Sequence, residues 1–288
     1  MMRVRILARA KRAFAALCAL GWATAVLGGP VVLGGDDLND HGSFNGTANL
    51  QGWLYIQNAL QNLISGSTRP GNTGRIAVLG SAPSTSMSGD GCGAAVFPAQ
   101  VLGRQVDCID TATGINTFFA NLAAGTVNPI VIVIPGNGVS NALDPAEEAA
   151  LATNAAALNA YVASGGGLLA HTGEYTWLAA LVPGLLINPA CDSSTAVLTP
   201  AGTAAFPTVT NADIRAGPCH NTFTGNFGGL SVLATDTAGL ALMIGGGGGT
   251  TITPTASGPV EVPTMSEWTM LLMALLIAGS AVITLRRR

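Results

Sequence analysis

Residues 129–134 read PIVIVI, a continuously apolar and largely β-branched run with no polar face. That pattern predicts a central parallel strand covered by helices on both sides. Shorter apolar runs at 30–35, 75–80 and 168–170 predict further strands, and 228–234 and 240–244 read as edge strands. Leu50, Leu54, Ala59, Leu60, Leu63 and Ile64 recur at helical spacing and predict a helix over 50–64, with another expected around 115–124. Asp144, Pro145, Glu147 and Glu148 mark a helix start: Asp144 as N-cap, Pro145 at the first helical position, acids facing the dipole. This helix is expected to reach Tyr161 or Val162 and stop at Gly165, Gly166 and Gly167, while Tyr175, Trp177 and Leu178 suit a core-packing helix. The alternation of strand and helix predicts an α/β body with a doubly wound, mostly parallel sheet.

The two ends change the picture. Arg3, Arg5, Arg9, Lys11 and Arg12 precede an apolar stretch at 13–27, and Ala23, Thr24 and Ala25 form a small-x-small triplet, so residues 1–25 have the form of a signal peptide cut by signal peptidase. Cys18 follows bulky Leu17 and does not suit lipid attachment. At the other end, residues 268–285 carry no formal charge and Arg286, Arg287 and Arg288 follow. That segment predicts a C-terminal transmembrane helix with the arginines cytoplasmic. The expected organisation is a signal peptide over 1–25, a body over 26–244, a Gly/Thr/Pro-rich linker over 245–261 and a tail over 262–288.

Val262, Pro263, Thr264, Met265, Ser266, Glu267 and Trp268, with the apolar span and arginine cluster, resemble the IPTL-CTERM sorting signal of Gram-negative bacteria, a relative of PEP-CTERM. The family pattern starts with Ile and has Gly after the Trp, where Val262 and Thr269 stand here. The resemblance implies handling by an exosortase-like membrane protease near Pro263 and Thr264. It implies export through an inner-membrane-anchored intermediate facing the periplasm, then arrival at the cell surface or outside the cell.

Charge separates the body from the whole. The chain of 288 residues has a formal net charge of −3, but between residues 26 and 261 four arginines (Arg69, Arg75, Arg104, Arg215) stand against fourteen acidic residues. So acidic a body repels a phosphate backbone and argues against nucleic-acid binding. It also holds Cys92, Cys108, Cys191 and Cys219, an even count that fits two disulfides in an oxidising compartment. Three pairings are open; closure of local loops favours Cys92–Cys108 and Cys191–Cys219. No GxSxG, HExxH, P-loop or calcium-loop spacing is present.

PIVIVIPGNG, then a helix, then YVASGGGLLAHTGEYTWLAALVPG, resembles the class I glutamine-amidotransferase-like fold, especially its trehalose-utilisation-type branch. The resemblance implies a flavodoxin-like α/β body with a nucleophile turn after the Gly-Gly strand. Here His171 and Thr172 occupy that turn, so the thiol chemistry of the family is missing. In open α/β sheets ligands collect beyond the carboxyl ends of the strands. That edge is expected to gather Asp36, Asp37, Asn137 and His171 as ligand-binding residues. His171, Glu174 and His220 are candidates for acid–base work, and Asp36, Asp40 and His41 for a divalent metal, which the sequence leaves open as a cofactor. The aspartates equally suit capped turns, and the histidines suit structural roles. The expected function is a noncatalytic binding module for a small polar ligand or carbohydrate; a metal- or His/Glu-assisted hydrolase and a structural envelope protein are the alternatives.

Overall fold

The computed structural model describes residues 28–84, 91–136, 143–171 and 177–247. The chain divides into two units, Met1–Thr253 and Pro254–Arg288, and the second lies wholly outside the described residues, as does the expected signal peptide.

In chain order the first unit runs β1 (Pro30–Gly34), a small antiparallel hairpin of β2 (Gly42–Phe44) and β3 (Asn49–Gln51), α1 (Gly52–Gly66), β4 (Ile76–Leu79), α2 (Gly93–Val101), β5 (Val106–Ile109) and α3 (Ala112–Ala123). It continues with β6 (Val131–Ile134), α4 (Pro145–Thr153), α5 (Ala155–Ala163), β7 (Gly167–His171), α6 (Leu178–Leu181) and β8 (Leu185–Asn188). β9 (Val197–Leu198), α7 (Pro200–Ala205), α8 (Asn211–Ile214), β10 (Thr222–Gly225), β11 (Ser231–Thr235) and β12 (Ala241–Gly247) complete it.

The main sheet has the order β5-β4-β6-β7-β1-β12-β10-β8, with β11 beside β12 and β9 beside β11. From β5 to β1 every pairing is parallel; from β1 onward every pairing is antiparallel. The fold is therefore α/β with a mixed sheet, which corrects the expectation of a mostly parallel one. The flavodoxin-like order, with the first strand inside the parallel set, is corrected too: β1 sits at the end of that set, against β7. Alternate strand residues feed two cores. Val31, Leu33, Ile132, Ile134 and Leu168 pack with α3, α4, α5 and α6 on one face. Val32, Val131, Val133 and Leu169 pack with α1, α2, α7 and α8 on the other. Continuous apolar runs such as β6 follow from burial on both faces.

Glycine explains how β12 enters. Gly245, Gly246 and Gly247 pair with Val32, Val31 and Pro30, so the glycine run assigned to the linker begins as strand. A Cβ at Gly245 would stand 2.6 Å from Leu233 Cδ1 and 2.9 Å from the Val31 carbonyl oxygen, closer than side chains approach. The start of α4 carries a full capping box: the Asp144 side chain accepts from the Glu147 N–H (2.8 Å), and Glu147 Oε2 accepts from the Asp144 N–H (2.8 Å). The single long helix expected beyond it is two, broken at Asn154, whose amide donates to the Ala150 carbonyl (2.8 Å) and to Asn116 Oδ1 (2.7 Å).

Among the described residues no helix is long and apolar enough to cross a membrane. The longest, α1, has 15 residues, which at 1.5 Å per residue spans about 22 Å. No described helix supplies the expected C-terminal transmembrane span or the membrane anchor of the expected inner-membrane intermediate; residues 268–285, where that span was expected, lie outside the described residues.

Candidate functional site

β1 and β7 are adjacent and parallel, with Gly34 opposite His171. The chain leaves β1 toward α1 on one face and leaves β7 toward α6 on the other, so a topological switch point lies between their carboxyl ends. Gly34 and Gly35 end β1 because nothing larger fits: a Cβ on Gly34 would collide with the Asp36 carboxylate, and one on Gly35 with the Asn221 carbonyl.

Asp36 turns inward. His171 Nδ1 donates to Asp36 Oδ1 at 3.0 Å, with both side chains 1% exposed, and the Leu38 N–H also donates to Oδ1 (3.1 Å). Tyr55 of α1 meets the His171 ring edge-on, centroids 6.0 Å apart, and burial together with the Asp36 charge pushes its phenol well above its ordinary value. Asp36 Oδ2, His171 Nε2, the Tyr55 hydroxyl and both amide atoms of Asn39 are buried without a hydrogen-bond partner. A narrow crevice with no room for a water molecule, lined by Asn39, Ile56, Ala94, Ala95, Val133 and His171, adjoins the Asn39 and His171 side chains.

Asp37 turns the other way. Its Oδ2 lies 3.4 Å from His41 Nε2 and 3.4 Å from His220 Nε2, while Oδ1 is buried without a partner. Burial raises the Asp37 carboxyl above its ordinary value, and the two histidines oppose that rise. His220 arrives because its segment folds back along β1: the Asp37 N–H donates to the Pro218 carbonyl (3.2 Å), the His220 N–H donates to the Gly35 carbonyl (2.8 Å), and Asp36 bridges Cys219. Two disulfides, Cys92–Cys108 and Cys191–Cys219, join pairs 16 and 28 residues apart, and the second anchors the His220 segment.

All three histidines thus reach one strand edge, in two separate Asp–His groups. The set close enough to hold a metal differs from the expected one: donor atoms of Asp37, Asp40 and His41 lie within 4.8 Å of one another, whereas Asp36 is committed to His171. The partner seen for His171 is Asp36; Glu174, expected in that role, and Asn137 lie outside the described residues. Tyr55 and Asn39 were not legible as site residues. Tyr55 lies on the apolar stripe of α1, and only its hydroxyl on a buried face hints at more.

A cavity of about 460 Å³ lies elsewhere, between α3 and the β4–β5 edge, with Ala77, Ile109, Phe118 and Val127 in its walls. Its charged groups are already paired, Arg75 donating twice to the Asp107 carboxylate. None of the Asp or His residues above lines it.

Residues 262–288 match the IPTL-CTERM motif. The match marks an exported, surface-directed protein of the CTERM-sorted kind and implies processing by an exosortase-like system. No curated protein and no solved structure matches the chain.

Proposed function

We propose that the exported body is a noncatalytic binding module taking a small polar, hydroxyl-bearing ligand at the carboxyl ends of β1 and β7. The observation that carries this reading is the cluster of unpartnered buried atoms around the Asp36–His171 pair. Buried polar groups in folded proteins are almost always satisfied, so a concentration of unsatisfied donors and acceptors at a switch point suits a ligand that completes them. The four body cysteines are held in disulfides, which fits a binding module without thiol chemistry.

Calorimetry of the purified protein against short sugars, wild type beside Asp36→Asn, tests the reading. A demonstrated affinity that Asp36→Asn leaves unchanged sinks the assigned site. One observation favours a second reading, acid–base chemistry: with Nδ1 engaged by Asp36, His171 presents Nε2 as a proton acceptor. Turnover of chromogenic glycosides or esters that is lost in His171→Gln would select it.

A further inference from the structure

The Asp37 side of the edge has the geometry of an unfinished coordination sphere. Charge-assisted hydrogen bonds between imidazole and carboxylate normally close to about 2.7–2.9 Å. Asp37 Oδ2 instead stands 3.4 Å from each of two imidazole nitrogens, His41 Nε2 and His220 Nε2. Four ligands at about 2.1 Å from a tetrahedral zinc ion are about 3.4 Å from one another. Both pairs therefore sit at the spacing of ligands sharing an ion. Asp40 adds a second carboxylate: donor atoms of Asp37, Asp40 and His41 all lie within 4.8 Å of one another, and His220 joins this group through its approach to Asp37 Oδ2.

An independent observation is the Asp37 carboxylate itself. The residue is 5% exposed, lies against the cluster and keeps Oδ1 without a partner. A buried carboxylate with one oxygen unsatisfied and the other facing two imidazoles at long range is stabilised by a cation among them.

The surroundings hold these groups in place. The His220 segment is fixed to β1 by backbone hydrogen bonds and by the Cys191–Cys219 disulfide. The His41 ring lies over Gly217, where a Cβ would come within 2.6 Å of His41 Cγ. His41 and His220 are 38% and 44% exposed, which gives an ion a path from solvent.

We propose that Asp37, Asp40, His41 and His220 bind one divalent first-row transition ion of the zinc type at the outer rim of the strand edge. Mixed imidazole and carboxylate donors select such an ion over calcium or magnesium, which favour all-oxygen shells. The site is independent of the polar-ligand reading, since it uses neither Asp36 nor His171.

The test is titration of the untagged, oxidised, chelator-treated protein with Zn²⁺, beside Ca²⁺ and Mg²⁺, by calorimetry. The expected result is one Zn²⁺ per chain, weakened at least about tenfold by His41→Ala and by His220→Ala. Both substitutions are at exposed side chains and avoid the risk that Asp37→Asn disturbs folding. Co²⁺ should give the intense visible absorption of a four-coordinate site, reduced in His220→Ala. No Zn²⁺ binding, binding indifferent to both histidine substitutions, or equal affinity for Ca²⁺ would each overturn the proposal. Loss of sugar binding in Asp36→Asn with Zn²⁺ affinity intact would mark the two sites as separate, whereas Zn²⁺ binding that fails while sugar binding persists removes this site alone.

Discussion

Replacing His171 by alanine should cost stability before it costs anything else. In the folded protein the Asp36 carboxylate is 1% exposed and has two partners on Oδ1, the His171 ring at 3.0 Å and the Leu38 N–H at 3.1 Å, with none on Oδ2. Removing the imidazole leaves a buried charge with one backbone hydrogen bond. Breaking a buried pair in this way costs about 3–5 kcal/mol. At about 2–4 °C per kcal/mol for a body of this size, the melting temperature should fall by about 6–20 °C. Asp36→Asn removes the charge but keeps an acceptor for Leu38, so it should cost less, about 1–3 kcal/mol. Urea unfolding at pH 7 of wild type, both single variants and the double variant closes a thermodynamic cycle. The coupling should be at least about 1 kcal/mol. If His171→Ala costs less than about 1 kcal/mol, or the two substitutions simply add, Asp36 and His171 are not an interacting buried pair and the site built on them is wrong.

Replacing Cys191 and Cys219 by alanine opens a loop of 28 residues, and chain entropy alone predicts a loss of about 3.6 kcal/mol, measurable in urea against the oxidised wild type; a loss under about 1 kcal/mol would contradict the bond. Burial raises the Glu147 carboxyl above its ordinary value of 4.5, even though the Thr111 and Asp144 N–H groups donate to it. The folded state therefore holds this proton to higher pH than the unfolded chain, and the contribution, complete below pH 4.5, is lost as pH rises through the raised value. Across that window wild type should lose stability relative to Glu147→Gln, and a difference that stays constant or grows in favour of wild type would refute the sign. Gly35→Ala forces a methyl group into the Asn221 carbonyl and should destabilise by at least about 2 kcal/mol; an unchanged urea midpoint would mean the returning segment does not pack there.

The sequence by itself determined what depends on neighbours in the chain. The α4 cap is local chemistry, Asp144, Pro145 and Glu147 satisfying one helix end, and it stands in the structure as a capping box. The buried strand β6 follows from an unbroken apolar run, and the sorting tail from a contiguous motif at 262–288. Tertiary structure decided the rest. Nothing in the local pattern of residues 241–247 says that they lie antiparallel against β1, because that pairing depends on the edge of β1 left open at the end of the parallel set. The helix break at Asn154 depends on Asn116, 38 residues away. The site is the sharpest case. Asp36 and Asp37 are neighbours in sequence with the same chemistry, yet successive side chains at the end of an extended strand point to opposite sides. One therefore meets His171, 135 residues on, inside the sheet edge, while the other meets His41 and His220 at the rim.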